Sequence, residues 1–201
     1  MDNQRELGKF IKTTKGEHEC YLALSLAYLL SRNEVANIEW TDIDFDQDTI
    51  AIYSTSLTGE KKPEFKRTFP LLPHIKSLLL ALRKEQHVNA KLHDYNPKFS
   101  NFIYTHKNGE RRNKNALSRN AGYLAEEHGL KLTNLGELNK AMTEFLANQV
   151  QGDLYSYWTR SDINLRGFAM YEELADNPEV TEFLGVLDQF IKTGKVKTME
   201  M

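Results

Sequence analysis

The stretch Leu29-Leu30-Ser31-Arg32-Asn33-Glu34-Val35-Ala36-Asn37-Ile38-Glu39-Trp40-Thr41-Asp42-Ile43-Asp44-Phe45 decides how this chain is read, because the hydrophobic period changes across it. Within it, residues 33–39 have the spacing of a short helix with Val35 and Ile38 on one side, and Trp40 closes the helical region. Upstream, apolar residues recur at helical spacing over 5–15 and again over 17–31. Leu22, Leu26, Leu29 and Leu30 make that second segment apolar around much of its girth, which predicts a central helix. Downstream, Thr49-Ile50-Ala51-Ile52-Tyr53-Ser54-Thr55 is β-branched and alternating, and after Thr58-Gly59-Glu60 the stretch Phe65-Lys66-Arg67-Thr68-Phe69-Pro70-Leu71 alternates again. Residues 44–71 therefore read as a small antiparallel sheet with a charged connecting loop.

Further along, Pro73 suits the first turn of a helix, where a missing N–H costs nothing, and 74–86 continues it with Ile75, Leu78, Leu79 and Leu82 on the buried side. A loop containing Asn96-Pro97 follows. Phe102-Ile103-Tyr104 reads as a short strand, residues 107–110 as a turn, and 115–128 as a helix ended by Gly129. Residues 134–150 are an amphipathic helix carrying Leu138, Met142, Phe145 and Leu146. Residues 153–190 are expected to be helical with breaks near Gly167 and Asn177-Pro178. No internal repeat and no low-complexity tract occurs.

The chain has 201 residues, 40% hydrophobic and 27% charged, and a net charge of −2. That is the composition of a globular domain with one sizeable core. No apolar run approaches the roughly 20 residues that span a bilayer, and the start is not a signal peptide, so the expected location is cytoplasmic. A single cysteine, Cys20, excludes an internal disulfide and a thiolate metal site, and its apolar neighbours predict a buried small residue. The balance of charge argues mildly against a surface that grips DNA all over. The distribution does not, because Lys61, Lys62, Lys66 and Arg67, then Lys107, Arg111, Arg112, Lys114 and Arg119, form two basic clusters. No Gly-rich phosphate loop and no Gly-x-Ser-x-Gly elbow is present. His87 and His93 with Asp94 lack the spacing of a metal site, so no metal and no other cofactor is expected.

Residues 29–45 resemble the first conserved box of the tyrosine recombinase, or phage integrase, family, which runs Gly-Leu-Arg-x-x-Glu-Leu-x-x-Leu-x-Trp-x-Asp-Ile-Asp. Thr58-Gly59 followed by Lys66-Arg67-Thr68-Phe69-Pro70-Leu71 resembles the family's sheet hairpin. Leu132-Thr133 with Leu138, Met142, Phe145 and Leu146 resembles the helix of the second box, and Ser161-Asp162-Ile163 with Tyr171 the third. The resemblance covers roughly residues 5–175 and is strongest before residue 75. It implies an α+β fold, mostly helical, with helices around a small three-stranded antiparallel sheet. The implied organisation is a catalytic-type domain over 1–190 without the family's N-terminal DNA-clamping domain, and a flexible tail over 191–201.

Active members of the family cut DNA with a tyrosine that attacks a phosphodiester. Two arginines, a lysine and histidines stabilise the developing charge and move protons. Carried over position by position, the first arginine falls on Ser31, with Arg32 pointing about 100° away in a helix. The hairpin lysine falls on Leu57, with Lys61 or Lys62 in the same loop. The second-box histidine and arginine fall on Gly136 and Asn139, or on Leu135 and Leu138 after a shift of one, the third-box histidine on Arg160, and the nucleophile near Ala169, so that Tyr171 requires an insertion. The resemblance thus implies an integrase-like domain of site-specific recombination that binds double-stranded DNA with impaired catalysis. It would act as a homo-oligomer or beside a partner recombinase.

Two alternatives stand beside that reading: an active recombinase rewired around Tyr171, Arg32, Arg160 and a loop lysine, and a helical interaction module that does not touch DNA. Each candidate also has a plainer role. Tyr171 fits a half-buried place on an amphipathic helix, Arg32 an ion pair with Glu34 or Glu39, and the basic clusters a solvated surface.

Overall fold

The structure, a computed structural model, describes residues 2–56, 60–92, 95–159 and 178–195. At its centre lies α2 (Glu19–Ala27), in which every residue from Cys20 to Ala27 is buried. A helix with no polar stripe must be enclosed on all sides. Here α3 (Arg32–Asn37), α4 (Pro73–Leu92), α5 (Lys114–Glu127), α6 (Leu135–Ala147) and α8 (Pro178–Thr193) surround it, while α1 (Asp2–Thr13) lies across α6 and α8. Cys20 sits in this core, and burial pushes its thiol pKa well up. The central helix ends before the apolar pattern does. The chain reverses at Leu29 (φ 50°), Leu30 N–H returns to the Ser25 carbonyl at 2.8 Å, and the Ser25 hydroxyl donates to the Leu30 carbonyl at 2.8 Å. Leu30 stays fully buried although it has left the helix, so the leucine spacing overran the true end.

β1 (Ile43–Asp44), β2 (Thr49–Thr55) and β3 (Lys61–Pro70) form an antiparallel sheet in the order β1-β2-β3. Ile50, Ile52 and Phe69 point into the core, as the alternation requires. The β2–β3 ladder is regular from Thr49↔Pro70 to Tyr53↔Lys66 and then slips, so that Thr55 faces Lys61. The outer edge of β3 is closed at one point by Tyr157 from α7 (Gly152–Thr159). Its hydroxyl accepts from Thr68 N–H at 3.1 Å and donates to the Thr68 carbonyl at 2.6 Å. Trp158 then donates its indole N–H to the Ala27 carbonyl at 2.7 Å, which ties α7 to the central helix as well.

Residues 102–104 are not a strand. Glu39 and Phe102 form one isolated bridge and Thr105 and Arg111 another. Ile103 N–H to the Ile38 carbonyl at 3.1 Å and Trp40 N–H to the Asn101 carbonyl at 2.8 Å make the first bridge, and beyond it the Phe102 and Ile103 carbonyls accept from the Gln86 side chain, so the ladder does not propagate. α5 ends before Gly129 (φ 61°), as its glycine predicts. The last helix closes the core: Phe190 stacks on Phe145 at 4.1 Å and Phe183 meets Trp158 edge-on at 5.1 Å. Asp188 accepts from His74 N–H at 2.8 Å and so satisfies a free donor at the start of α4. α1 and the end of α8 touch through backbone, since a Cβ on Gly8 would come within 2.2 Å of the Gly194 carbonyl oxygen. The helix continues to Thr193 with Ile191 buried, past the expected boundary at residue 190. The expected break near Gly167 lies outside the described residues. No helix among the described residues is long and apolar enough to cross a membrane.

Candidate nucleic-acid interface

The turn at Leu29–Leu30 delivers Ser31 to the start of α3, where it is spent on the helix itself. Its hydroxyl accepts from Glu34 N–H at 3.3 Å while the Glu34 carboxylate accepts from Ser31 N–H at 2.8 Å, a reciprocal cap. α6 comes up against the same turn, and the Asn139 amide donates to the Leu30 carbonyl at 3.1 Å. The two positions at which the family resemblance places arginines are therefore close in space, but they carry a capping hydroxyl and an amide held by backbone. Gly136, on which the resemblance places the second-box histidine in one register, is exposed and carries no side chain that could move a proton. Arg32 is exposed and makes no ion pair or hydrogen bond among the described residues. The carboxylates expected to pair with it go elsewhere.

Glu34 faces Arg67 of β3, with 3.6 Å between Oε1 and Nη2, and the guanidinium also lies 4.9 Å from the Phe69 ring. Arg67 is 7% exposed and Glu34 3%, so this cation points into the domain. Strand alternation explains the placement: Arg67 faces Ile52 across the ladder and shares its inward side with Phe69. Lys66, one residue earlier, is exposed on the opposite side.

Lys61 is engaged by two carboxylates, 3.0 Å from Glu39 and 2.7 Å from Asp42. Burial by itself opposes its charge, but the hydrogen bonds to Asp42 and Glu39 outweigh that and raise its pKa. Lys62 lies over the Phe65 ring at 5.8 Å. In the second basic cluster Arg111 donates to the Ala36 carbonyl at 2.6 Å and to the Asn37 side chain at 2.9 Å, with the Phe102 ring 4.0 Å from its guanidinium. Arg112 donates to the Thr105 carbonyl at 2.8 Å and lies 5.9 Å from the Tyr104 ring. Burial lowers the pKa of both arginines. Arg111 braces the loop that follows α4 against α3, and Arg112 ties two parts of that loop together. Lys107 and Arg119 are exposed and Lys114 is half-buried at the start of α5.

Leu57, at the hairpin lysine position, and Arg160, Arg166, Ala169 and Tyr171 lie outside the described residues. What is visible is the anchoring of the segment that leads to Arg160, through Tyr157 on the β3 edge and Trp158 on α2. His93 and Asp94 also lie outside. Among the described residues no cluster of three or more histidine, cysteine, aspartate or glutamate side chains could hold a metal ion. Sequence reasoning missed the Lys61–Glu39–Asp42 group and the Arg67–Glu34 pair, which join residues of different elements. The one available signal was that Glu39 and Asp42 share the first box.

The structure resembles the integrase of the Tn1549 transposon in complex with a circular intermediate DNA, with TM-score 0.61 and 15% identity, covering 87% of this chain and 62% of that one. The same integrase in complex with transposon right end DNA gives TM-score 0.59 and 15% identity, covering 88% and 63%. A lambda integrase tetramer bound to a Holliday junction gives TM-score 0.53 and 12% identity, covering 82% and 47%. At these identities the likeness is one of fold, and the chain spans less than two thirds of the length of each of those structures. No curated protein matches the sequence. The sequence pattern of the phage integrase family matches residues 1–149. This chain, with its helices packed around a three-stranded antiparallel sheet, belongs to the phage integrase family.

Proposed function

We propose that the chain is an integrase-type domain that binds double-stranded DNA and is impaired in cutting it. The observation that carries this reading is the state of the two arginine positions, where Ser31 caps its own helix and Asn139 holds the Leu30 carbonyl. Losing one preorganised donor to a phosphoryl transition state costs about 2.7–4 kcal/mol. Two together slow cleavage by several orders of magnitude even when their effects overlap. Arg32, Lys62, Lys66, Lys107, Lys114 and Arg119 are the cations left to face phosphates, while Lys61, Arg67, Arg111 and Arg112 are engaged within the domain. Tyr171, Arg160 and Arg32 are the candidates for residual chemistry. A second copy or a partner recombinase supplies the remaining machinery on DNA.

The test pairs two measurements. Incubation with a nicked duplex, followed by denaturing electrophoresis, should yield no covalent adduct; an adduct that disappears in Tyr171→Phe establishes the rewired recombinase instead. Duplex affinity should fall steeply with salt, because phosphate contacts release counterions. A flat salt dependence or no binding favours a protein-interaction module.

A further inference from the structure

We propose that Lys61 is a latch: its ion pairs with Glu39 and Asp42 hold the outer part of the β2–β3 hairpin against the body of the domain, and a DNA phosphate competes for the same ammonium. The proposal rests on the DNA-binding reading above and concerns how that surface is regulated.

The hairpin is built in two parts. From Thr49↔Pro70 to Tyr53↔Lys66 the ladder is continuous, but the next rung joins Thr55 to Lys61, so residues 62–65 bulge out of β3. Pro63 within the bulge has no N–H to give to a neighbouring strand. A bulge bends a strand and uncouples what lies beyond it from the regular ladder. Beyond it, Ser56 N–H donates to the Glu60 carbonyl at 2.8 Å and Glu60 N–H to the Ser56 hydroxyl at 3.0 Å. Lys61 reaches back to the body. Its ammonium lies 2.7 and 3.0 Å from the two oxygens of Asp42, 3.0 Å from Glu39 and 5.2 Å from the Tyr53 ring centroid. Asp42 and Glu39 belong to the turn that follows α3, so the tether crosses from the hairpin to the first box.

The charges explain the competition. One ammonium against two carboxylates leaves one negative charge at the root of the arm, which repels an approaching phosphate while the latch is closed. Lys62 and Lys66, on the same strand, form no ion pair among the described residues and remain available for first contact. Asp42 is nearly enclosed, with 8% of its side chain exposed, but Lys61 and Glu39 are exposed to 24% and 26%, so a phosphate can reach the ammonium from the Glu39 side. Exchange of carboxylate for phosphate would swing the arm at the bulge and add one cation to the DNA-facing set.

Duplex binding by the full chain across a salt series tests this in wild type, Glu39→Gln, Lys61→Met and the double variant, with Glu60→Gln as a hairpin control. Glu39→Gln should tighten binding about threefold or more and steepen the salt slope by about one, the signature of one added phosphate contact. The gain should vanish in the Lys61→Met background and exceed that of Glu60→Gln. Amide exchange at residues 55, 56 and 61 should quicken in Glu39→Gln and Lys61→Met without DNA. A gain that survives Lys61→Met is general electrostatics and overturns the latch, as does unchanged affinity or unchanged exchange in Glu39→Gln. If wild type binds duplex with a steep salt slope and only these differences fail, the latch alone falls. If no form binds duplex, the DNA-binding reading falls with it.

Discussion

Glu34→Gln is the perturbation that most directly probes how the first box is built. Glutamine keeps an oxygen able to accept from Ser31 N–H, now at 2.8 Å, so the cap of α3 survives. What is lost is the charge facing Arg67 across 3.6 Å. Both groups are nearly excluded from water, at 3% and 7% exposure. Breaking a buried pair from one side leaves the other charge uncompensated, at a cost of about 3–5 kcal/mol. For a domain of this size each kcal/mol lowers Tm by about 2–4 °C, so the variant should melt roughly 6–20 °C below wild type. Arg67→Met should cost a similar amount, because it removes the cation that faces the buried Glu34 carboxylate. The double variant should be clearly more stable than the sum of the single losses predicts, since no buried charge is left alone. Urea denaturation of the four proteins at neutral pH measures this through the midpoint at constant slope. Strict additivity, or a loss below about 1 kcal/mol for Glu34→Gln, would refute the view that this pair is a buried structural unit.

Three further outcomes follow from individual contacts. Tyr157→Phe removes the hydroxyl that bridges both backbone groups of Thr68 and should cost about 1–3 kcal/mol by urea denaturation, with no change in helix content. His74 has its pKa lowered by burial, against the attraction of Asp188 and Glu19. The folded state therefore resists the proton more than the unfolded chain does. This contribution to stability is complete above the unfolded value of 6.5 and is lost as pH falls through the folded value, a dependence that His74→Gln should flatten in denaturation curves. Cys20, with its thiol buried and its pKa raised, should react with a thiol reagent far more slowly in the native protein than in urea, and a rapid native reaction would contradict its place in the core.

Much of the scaffold was legible in the residues. The switch from helical to alternating period after Trp40 marked where α3 gives way to the sheet, and Gly129 marked the end of α5. Leu22 and Leu26 announced an enclosed helix, which α2 is. The misplaced features share a cause. Residues 29–31 left the helix because of a left-handed Leu29 and the Ser25 hydroxyl, which donates to the Leu30 carbonyl beyond the turn. Residues 102–104 failed to form a strand because Gln86, a residue of α4, supplied the hydrogen bonds.

By itself the sequence determined the order and type of most of the elements and the family box at residues 29–45, properties of residue type and local spacing. Only the tertiary structure decided which cations are spent. Arg67 turned inward to Glu34, Lys61 was taken by Glu39 and Asp42, and Arg111 and Arg112 were bound to carbonyls, while Arg32 stayed exposed without a partner among the described residues. The physical reason is that a charge at a given position is the same charge wherever it points. Its partner is set by strand pleat and helix packing, which bring together groups far apart along the chain.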